Sequence, residues 1–478
     1  MRDAEYRRIL RSQGLTRRGV LRLGGAAGLS LGLLPFLRAA KEHDGAAKST
    51  APGFGKAKSV LLVYASGGQS QIDLWDMKPH APAEVRGVFE PAATSVTGTT
   101  ICEHMPRLAR LAHLYTILRS VSHDDLDHGS ATYLALTGVP HPKKSSNPPA
   151  LPTDYPTYGA ILHRVRPSRR LPYTAVHVNG PALVPEYVAP GQGAGFLGRA
   201  CEPLLIGDPT EGPLALRGLD PLPEVSAARL ADRRSLRDAL DAAGGKGAER
   251  PLREMEQSYR QAYDLLAAKN VRQAFDLSSE PLPLRERYGL HRSGQSCLLA
   301  RRLVEAGVPW VTVIWNHTNR GQDKQPDDPD AYGWDTHNDI FDALKDHLLP
   351  RFDRSFSALL EDLEQRGLLD STLVVCMGEF GRAPLVALEK TFAGSTPGRK
   401  HWPGVYSIVL AGAGVARGGV VGASDRNGAY PSTTPVGPWD VAATMFHALG
   451  VAPDGHYTDP ANRPSAITTG KPIAALYG

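Results

Sequence analysis

The chain is expected to be an α/β protein with a mostly parallel central sheet and helices on both faces. Three observations carry that expectation. Six short apolar runs recur along it: "KSVLLVYASGG", "LYTILRSV", "YTAVHVN", "PWVTVIWN", "STLVVCMGEF" and "YSIVLAGAG". Amphipathic helical patterns lie between several of them, including "MPRLARLAHL", "SCLLARRLVEAG", the long stretch 338–367 and "PWDVAATMFHALG". Ligand-type side chains cluster directly after the runs, where small molecules gather in open parallel sheets.

Each element follows from local chemistry. Strands covered on both faces read as near-continuous apolar runs, and alternation with helices argues a parallel sheet. The first run ends in Gly67–Gly68, which permits a sharp turn at the strand's carboxyl end. "DHGSATYLALTG" reads as the start of a helix, and the 338–367 helix is expected to begin near Asn338. Residues 210–292 are rich in charged helical stretches and show no strand pattern, so they read as a helical insertion in a domain spanning 57–478. The proline-rich stretch 140–156 reads as a loop, and there is no internal repeat.

With 478 residues, 42% hydrophobic and 22% charged, the chain can bury a large core. Its net charge of +5 is localised. Residues 1–40 hold eight arginines against Asp3 and Glu5, a net of +6, which leaves −1 for the remainder. The body therefore gives no charge argument for nucleic-acid binding. The N-terminal segment pairs Arg17 with Arg18 before a Gly- and Ala-rich apolar run, the pattern of a twin-arginine export leader. The alternative is an uncleaved anchor, since 19–37 approach the length of a membrane span; Arg22 and the glycines argue against it. Arg38 stands where a small residue is favoured ahead of Ala39–Ala40, so the cleavage point stays open. The expectation is an exported protein, periplasmic or extracellular, with 41–56 as a polar linker. No stable membrane span is expected unless the leader is retained. The four cysteines are scattered without a CxxC pair, which excludes a disulfide framework and a zinc-finger pattern.

The candidate chemistry lies at the strand ends. Ser70 and Asp73 follow the first run; His123, Asp124, Asp127, His128 and Ser130 follow the second. "YGWDTHND" supplies Asp335 and His337 after the fourth, "GEFGR" supplies Glu379 and Arg382, and "GRKHWPG" places His401 before the last. Singly, each has a structural explanation: Asp335 or Thr336 as a helix cap, Glu379 paired with Arg382, His401 stacked on Trp402. Jointly, carboxylates and imidazoles from three strand ends offer the mixed oxygen and nitrogen donors of a divalent ion, zinc foremost, with manganese, magnesium or calcium as alternatives. Such an ion polarises phosphoryl or sulfuryl oxygens. His123, Asp127 and His128 form either a second metal or substrate site or a solvated turn. Ser70 and Ser130 are rival nucleophiles, and Arg382 could clamp an anionic oxygen.

In combination, "GGQSQIDLWDMKP", "LRSVSHDDLDHGSATYLALTG", "LLARRLVEAGVPWVTV", "GWDTHND", "GEFGRAP" and "GRKHWPG" resemble the DUF1501 family, exported bacterial proteins abundant in planctomycetes, over nearly all of 57–475. That family looks like a distant branch of the alkaline phosphatase and sulfatase superfamily. The resemblance implies an alkaline-phosphatase-like sheet and a main metal held by Asp335, His337, Glu379 and His401. It implies a phosphate or sulfate ester as substrate, small or polysaccharide-borne. Two departures stand out. Ser66–Gly67–Gly68 occupies the place of the superfamily's first-strand metal-binding Asp, and Glu379–Phe380 the place of its Asp–His pair. A C-x-P-x-R nucleophile signature is absent. The alternative is a non-catalytic, metal-stabilised surface or polysaccharide-binding protein on the same fold.

Overall fold

The structure, a computed structural model, describes residues 51–478 apart from 169–170, 172, 185–186, 320, 322–331 and most of 212–272. The leader, most of the 41–56 linker and most of the 210–292 insertion lie outside the described residues. Pro52–Gly478 form one compact unit.

Among the described residues, eight strands make the central sheet: β1 (Ser59–Tyr64), β2 (Tyr115–Val121), β3 (Ala175–Val178), β4 (Leu204–Ile206), β5 (Trp310–Ile314), β6 (Thr372–Met377), β7 (Tyr406–Ala411) and β8 (Val420–Val421). Their order is β8-β2-β7-β6-β1-β5-β3-β4. Each of the six apolar runs has become a strand. Short β4 and β8, at the two edges, carry too few residues to leave a periodic signal. β1 lies between β5 and β6 with all three parallel. β7 alone is inverted, antiparallel to both β2 and β6. That inversion matters for the site: it brings the residues ahead of β7 to the edge where the parallel strands end.

Side chains of β1 alternate between two cores. Leu61 and Val63 pack with helices α1 (Pro106–Arg110), α4 (Arg292–Glu305) and α5 (Leu349–Gln365). Val60, Leu62 and Tyr64 pack with α3 (Tyr158–Val165) and α6 (Pro438–Ala448). Both faces are therefore covered, which explains why β1 is buried at every position and unbroken in its apolar run from Val60 to Val63. Helix α2 (His128–Thr137) is buried along its whole length, its polar His128, Ser130, Thr132 and Thr137 included.

The expected continuous helix over 338–367 is broken. A single turn at Ile340–Asp342 leads into a π-helical stretch, Ala343–Leu348, before α5 begins. Pro350, in the first turn of α5, has no N–H to donate and its ring crowds the carbonyl four residues back. A π turn is one way to absorb that misfit. Neither Asp335 nor Thr336 caps this helix; its N-cap is Asp339, in the left-handed region at φ 52°.

After β1 the chain turns at Gly67, with φ 113°. A Cβ there would stand 2.4 Å from the Asp335 amide nitrogen, so glycine is required by both conformation and space. Gly67→Ala is expected to destabilise the protein by about 1–3 kcal/mol, read from chemical denaturation midpoints at unchanged m-value.

Candidate metal centre

Four elements deliver side chains to one point at the carboxyl edge of the sheet. The loop after β5 brings Asp335 and His337, and the start of α2 brings His128. The short ribbon pairing Gly381–Arg382 with His401–Trp402 brings Arg382 and His401. Asp335 Oδ1 is the centre: Arg382 Nη2 lies 2.7 Å away, His337 Nε2 3.1 Å, His128 Nε2 3.1 Å and His401 Nε2 3.2 Å. His337 Nε2 and His401 Nε2 face one another at 2.8 Å.

Each imidazole is fixed from behind through Nδ1. His401 Nδ1 lies 2.8 Å from the Leu126 carbonyl, which can only accept. His337 Nδ1 lies 2.8 Å from Glu389 Oε2, and His128 Nδ1 2.6 Å from Glu379 Oε1. With Nδ1–H donating outward, His337 and His401 turn their Nε2 lone pairs inward, and His128 does so once its second proton is lost. His128 Nε2, though within ion-pair distance of Asp335, is off the hydrogen-bond line and has no hydrogen-bond partner among the described residues. Facing lone pairs at 2.8 Å require a proton or a cation between them. Donors around tetrahedral zinc, with Zn–N of about 2.0–2.1 Å, stand roughly 3.3 Å apart, close to the separations seen here. His128, Asp335 and His401 offer ligand atoms all within 4.8 Å of one another, and His337 adjoins them. The donor set therefore fits a divalent ion of the zinc type.

Electrostatics agree with that fit. Burial alone would raise the Asp335 carboxyl, but His128 and Arg382 outweigh it and hold the group well below the usual range. Burial alone would lower His128, but the Asp335 and Glu379 carboxylates lift it to about 9. Burial and the neighbouring charge of His128 push His401 down to about 4. Without an ion, a protonated His128 thus joins Arg382 as a cation beside Asp335. Phe392 stacks flat on His337 at 3.9 Å, and Phe380 lies 4.9 Å from His128 and 4.7 Å from His401. These rings keep the surroundings apolar.

The structure brings Asp335, His337 and His401 together and places beside them His128, a candidate from the sequence for a second metal or substrate site. Glu379, expected among the ligands, stands one layer out. Fully buried, it accepts from Gly67 N at 2.8 Å and Tyr64 Oη at 2.9 Å while orienting His128. Arg382 is not open to a substrate. Its buried guanidinium donates to the Gly67, Gly68 and Arg399 carbonyls as well as to Asp335. His123 has both ring nitrogens engaged, Nε2 with the Glu379 carbonyl at 2.7 Å and Nδ1 with Asp125 N at 3.1 Å. Asp127 accepts from Asn147 Nδ2 at 2.7 Å. Neither expected nucleophile points at the cluster: Ser70 Oγ donates to Asp73 at 2.5 Å and Ser130 Oγ to Asp125 at 2.6 Å. Asp73 forms a fully buried bidentate pair with Arg399, at 2.7 and 2.9 Å. Glu389, in the loop before His401, had no sequence signal; only the folded loop brings it to His337.

A family comparison matches residues 57–477 to the family described as "Protein of unknown function (DUF1501)". The chain belongs to that family. No curated protein matches it. Among solved structures, this DUF1501 chain is similar to the PsFucS1 sulfatase from Pseudoalteromonas sp., at 14% identity and a TM-score of 0.36 over 87% of this chain and 71% of that one. It is similar to the phosphonate monoester hydrolase SpPMH from Silicibacter pomeroyi, at 11% identity and a TM-score of 0.37 over 88% and 76%. A third is the lipoteichoic acid synthase LtaP from Listeria monocytogenes, at 11% identity and a TM-score of 0.34 over 84% and 75%.

Two outcomes follow from the layered arrangement. Glu379→Gln removes the carboxylate behind His128 without removing a ligand, and should weaken zinc binding about 10–100-fold in competition with a chromophoric chelator. His128, raised above its ordinary value in the metal-free fold, stabilises that fold fully below pH 6.5 and loses this contribution as pH rises through about 9. Zinc must displace the same proton. Below pH 9 the affinity should therefore rise about tenfold per pH unit, with one proton released per ion in calorimetry across buffers of different ionisation enthalpy.

Proposed function

We propose that the chain is an exported, metal-dependent hydrolase of phosphate or sulfate esters. The observation that carries this reading is the convergence of three outward-anchored imidazoles on one buried carboxylate oxygen. His128, Asp335, His337 and His401 would hold the ion. When bound, it would polarise an ester oxygen and acidify a water. The chain's own contribution is to orient the donors through Glu379, Glu389 and the Leu126 carbonyl, and to exclude bulk water with Phe380 and Phe392. Lys400, 62% exposed and 3.1 Å from Glu389, offers a cation at the rim for an anionic ester. Because Ser70 and Ser130 are committed elsewhere, the reading is a direct attack by water rather than a covalent step on serine.

Those same engaged hydroxyls are the observation that favours the second reading, a metal-stabilised binding protein. No helix among the described residues is long and apolar enough to cross a membrane, and the body carries no excess of positive charge, so neither reading calls on a lipid span or a nucleic acid. The export route rests on the Arg17–Arg18 leader alone.

Turnover of aryl phosphate and aryl sulfate by the zinc-loaded protein tests the proposal. At least one ester should be hydrolysed, and His401→Ala should reduce the rate at least ~100-fold, the equivalent of losing about 2.7 kcal/mol of transition-state stabilisation. Zinc bound with no turnover of either ester would leave the binding reading in place.

A further inference from the structure

We infer that the chain carries a second ligand pocket, at the β3–β4 edge of the sheet, which takes an uncharged molecule with an apolar body and one hydroxyl or carbonyl head. The cavity measures about 510 Å³, within the range of roughly 300–1,000 Å³ typical of small-molecule sites. Its lining includes none of the metal-centre residues, so it stands independently of the proposed hydrolysis.

Its construction follows from strand register. His177 on β3 pairs with Leu205 on β4 in adjacent parallel strands, which puts both side chains on one face of the sheet. Leu205, with Leu151 and Val188 from the neighbouring loops, lines the cavity while remaining 41–52% exposed. Large apolar side chains left open around a cavity mark a binding mouth rather than a core. His177 lines the same cavity and is only 4% exposed. Its Nε2 has no hydrogen-bond partner among the described residues. A buried polar atom of this kind is costly unless something meets it.

The chemistry of the head group follows from the charges. Burial holds the His177 imidazole down at about 4, so it is neutral at ordinary pH and offers one donor and one acceptor. The charged lining residues are Asp154, Arg199 and Glu202, a net of −1. Both carboxylates already take backbone donors, Leu151 N at 2.9 Å and Ala194 N at 3.0 Å. An acidic head would face those carboxylates, whereas a hydroxyl or carbonyl satisfies His177 without bringing in a charge.

The naphthyl ketone dye prodan, which is uncharged and carries one carbonyl, tests this on the purified full chain. Saturable, blue-shifted emission with one dye per chain is expected. His177→Leu should weaken binding about fivefold, the loss of one hydrogen bond. Leu205→Arg should weaken it at least about tenfold by placing a charge in the mouth, and His401→Ala should leave it unchanged. Absence of saturable binding, or affinity untouched by both pocket substitutions, would overturn the inference. So would equal binding of the anionic dye anilinonaphthalene sulfonate. Leu205 is exposed, so its variant answers the question even if His177→Leu fails to fold.

Discussion

Asp335 Oδ1 is the atom on which the site depends. A buried carboxylate costs several kcal/mol unless charges and hydrogen bonds compensate it, and here one oxygen draws Arg382 and three imidazoles within 3.2 Å. Its position is enforced by backbone. Trp334 N donates to the Ser66 carbonyl, and Asp335 N to the Asn319 carbonyl. The Gly67 turn leaves no room for a side chain beside them. Arg382 binds the carbonyls of Gly67 and Gly68 as well as the carboxylate, tying the β1 turn and the β5 loop into one unit. The inverted β7 completes the arrangement, because only an antiparallel strand begins where its parallel neighbours end.

Around that centre a second buried arginine holds the rim. Arg399 pairs with Asp73 and also donates to the carbonyls of Val85, Ala383 and Pro384. Asn338 and Asp339 do the same work on the loop ahead of His401. Asn338 Nδ2 donates to the Glu389, Phe392 and Ala393 carbonyls, and Asp339 accepts from Ser395 and Thr396. This loop supplies both the carboxylate behind His337 and the ring that covers it. The motif "GWDTHND" therefore divides by function: Asp335 and His337 face the centre, while Asn338 and Asp339 fasten the loop that shields them.

The strands and most helices were legible because burial on both faces leaves long apolar runs, and α2 was legible from "DHGSATYLALTG". The π-helical stretch was hidden, since Pro350 near a helix start reads as ordinary. Asp335, His337 and His401 were readable from residue type and strand-end position. The exchange of Glu379 for His128 was not. Both follow strand ends, and which one touches the centre depends on side-chain reach across the sheet, not on spacing. Ser70 followed the same logic into error of placement: a serine after Gly67–Gly68 looks like a nucleophile, yet Asp73, three residues on, captures its hydroxyl as a helix cap. Glu389 was invisible because a loop carboxylate without periodicity acquires meaning only from the histidine it meets.

Charge counting links the site to the substrate class proposed for it. Asp335, Glu379 and Glu389 contribute −3, and Arg382 and Lys400 +2, leaving −1 around the centre. The proton on His128 brings the metal-free cluster to neutrality, which is how three histidines and three carboxylates coexist in an apolar shell. Exchange of that proton for a divalent ion takes the total to +1. The loaded site would then attract an anionic ester, in surroundings whose aromatic walls weaken dielectric screening. An anion entering there would meet the ion and Lys400 on the open side. Arg382, the remaining cation, is sealed behind Asp335 and holds that carboxylate in place.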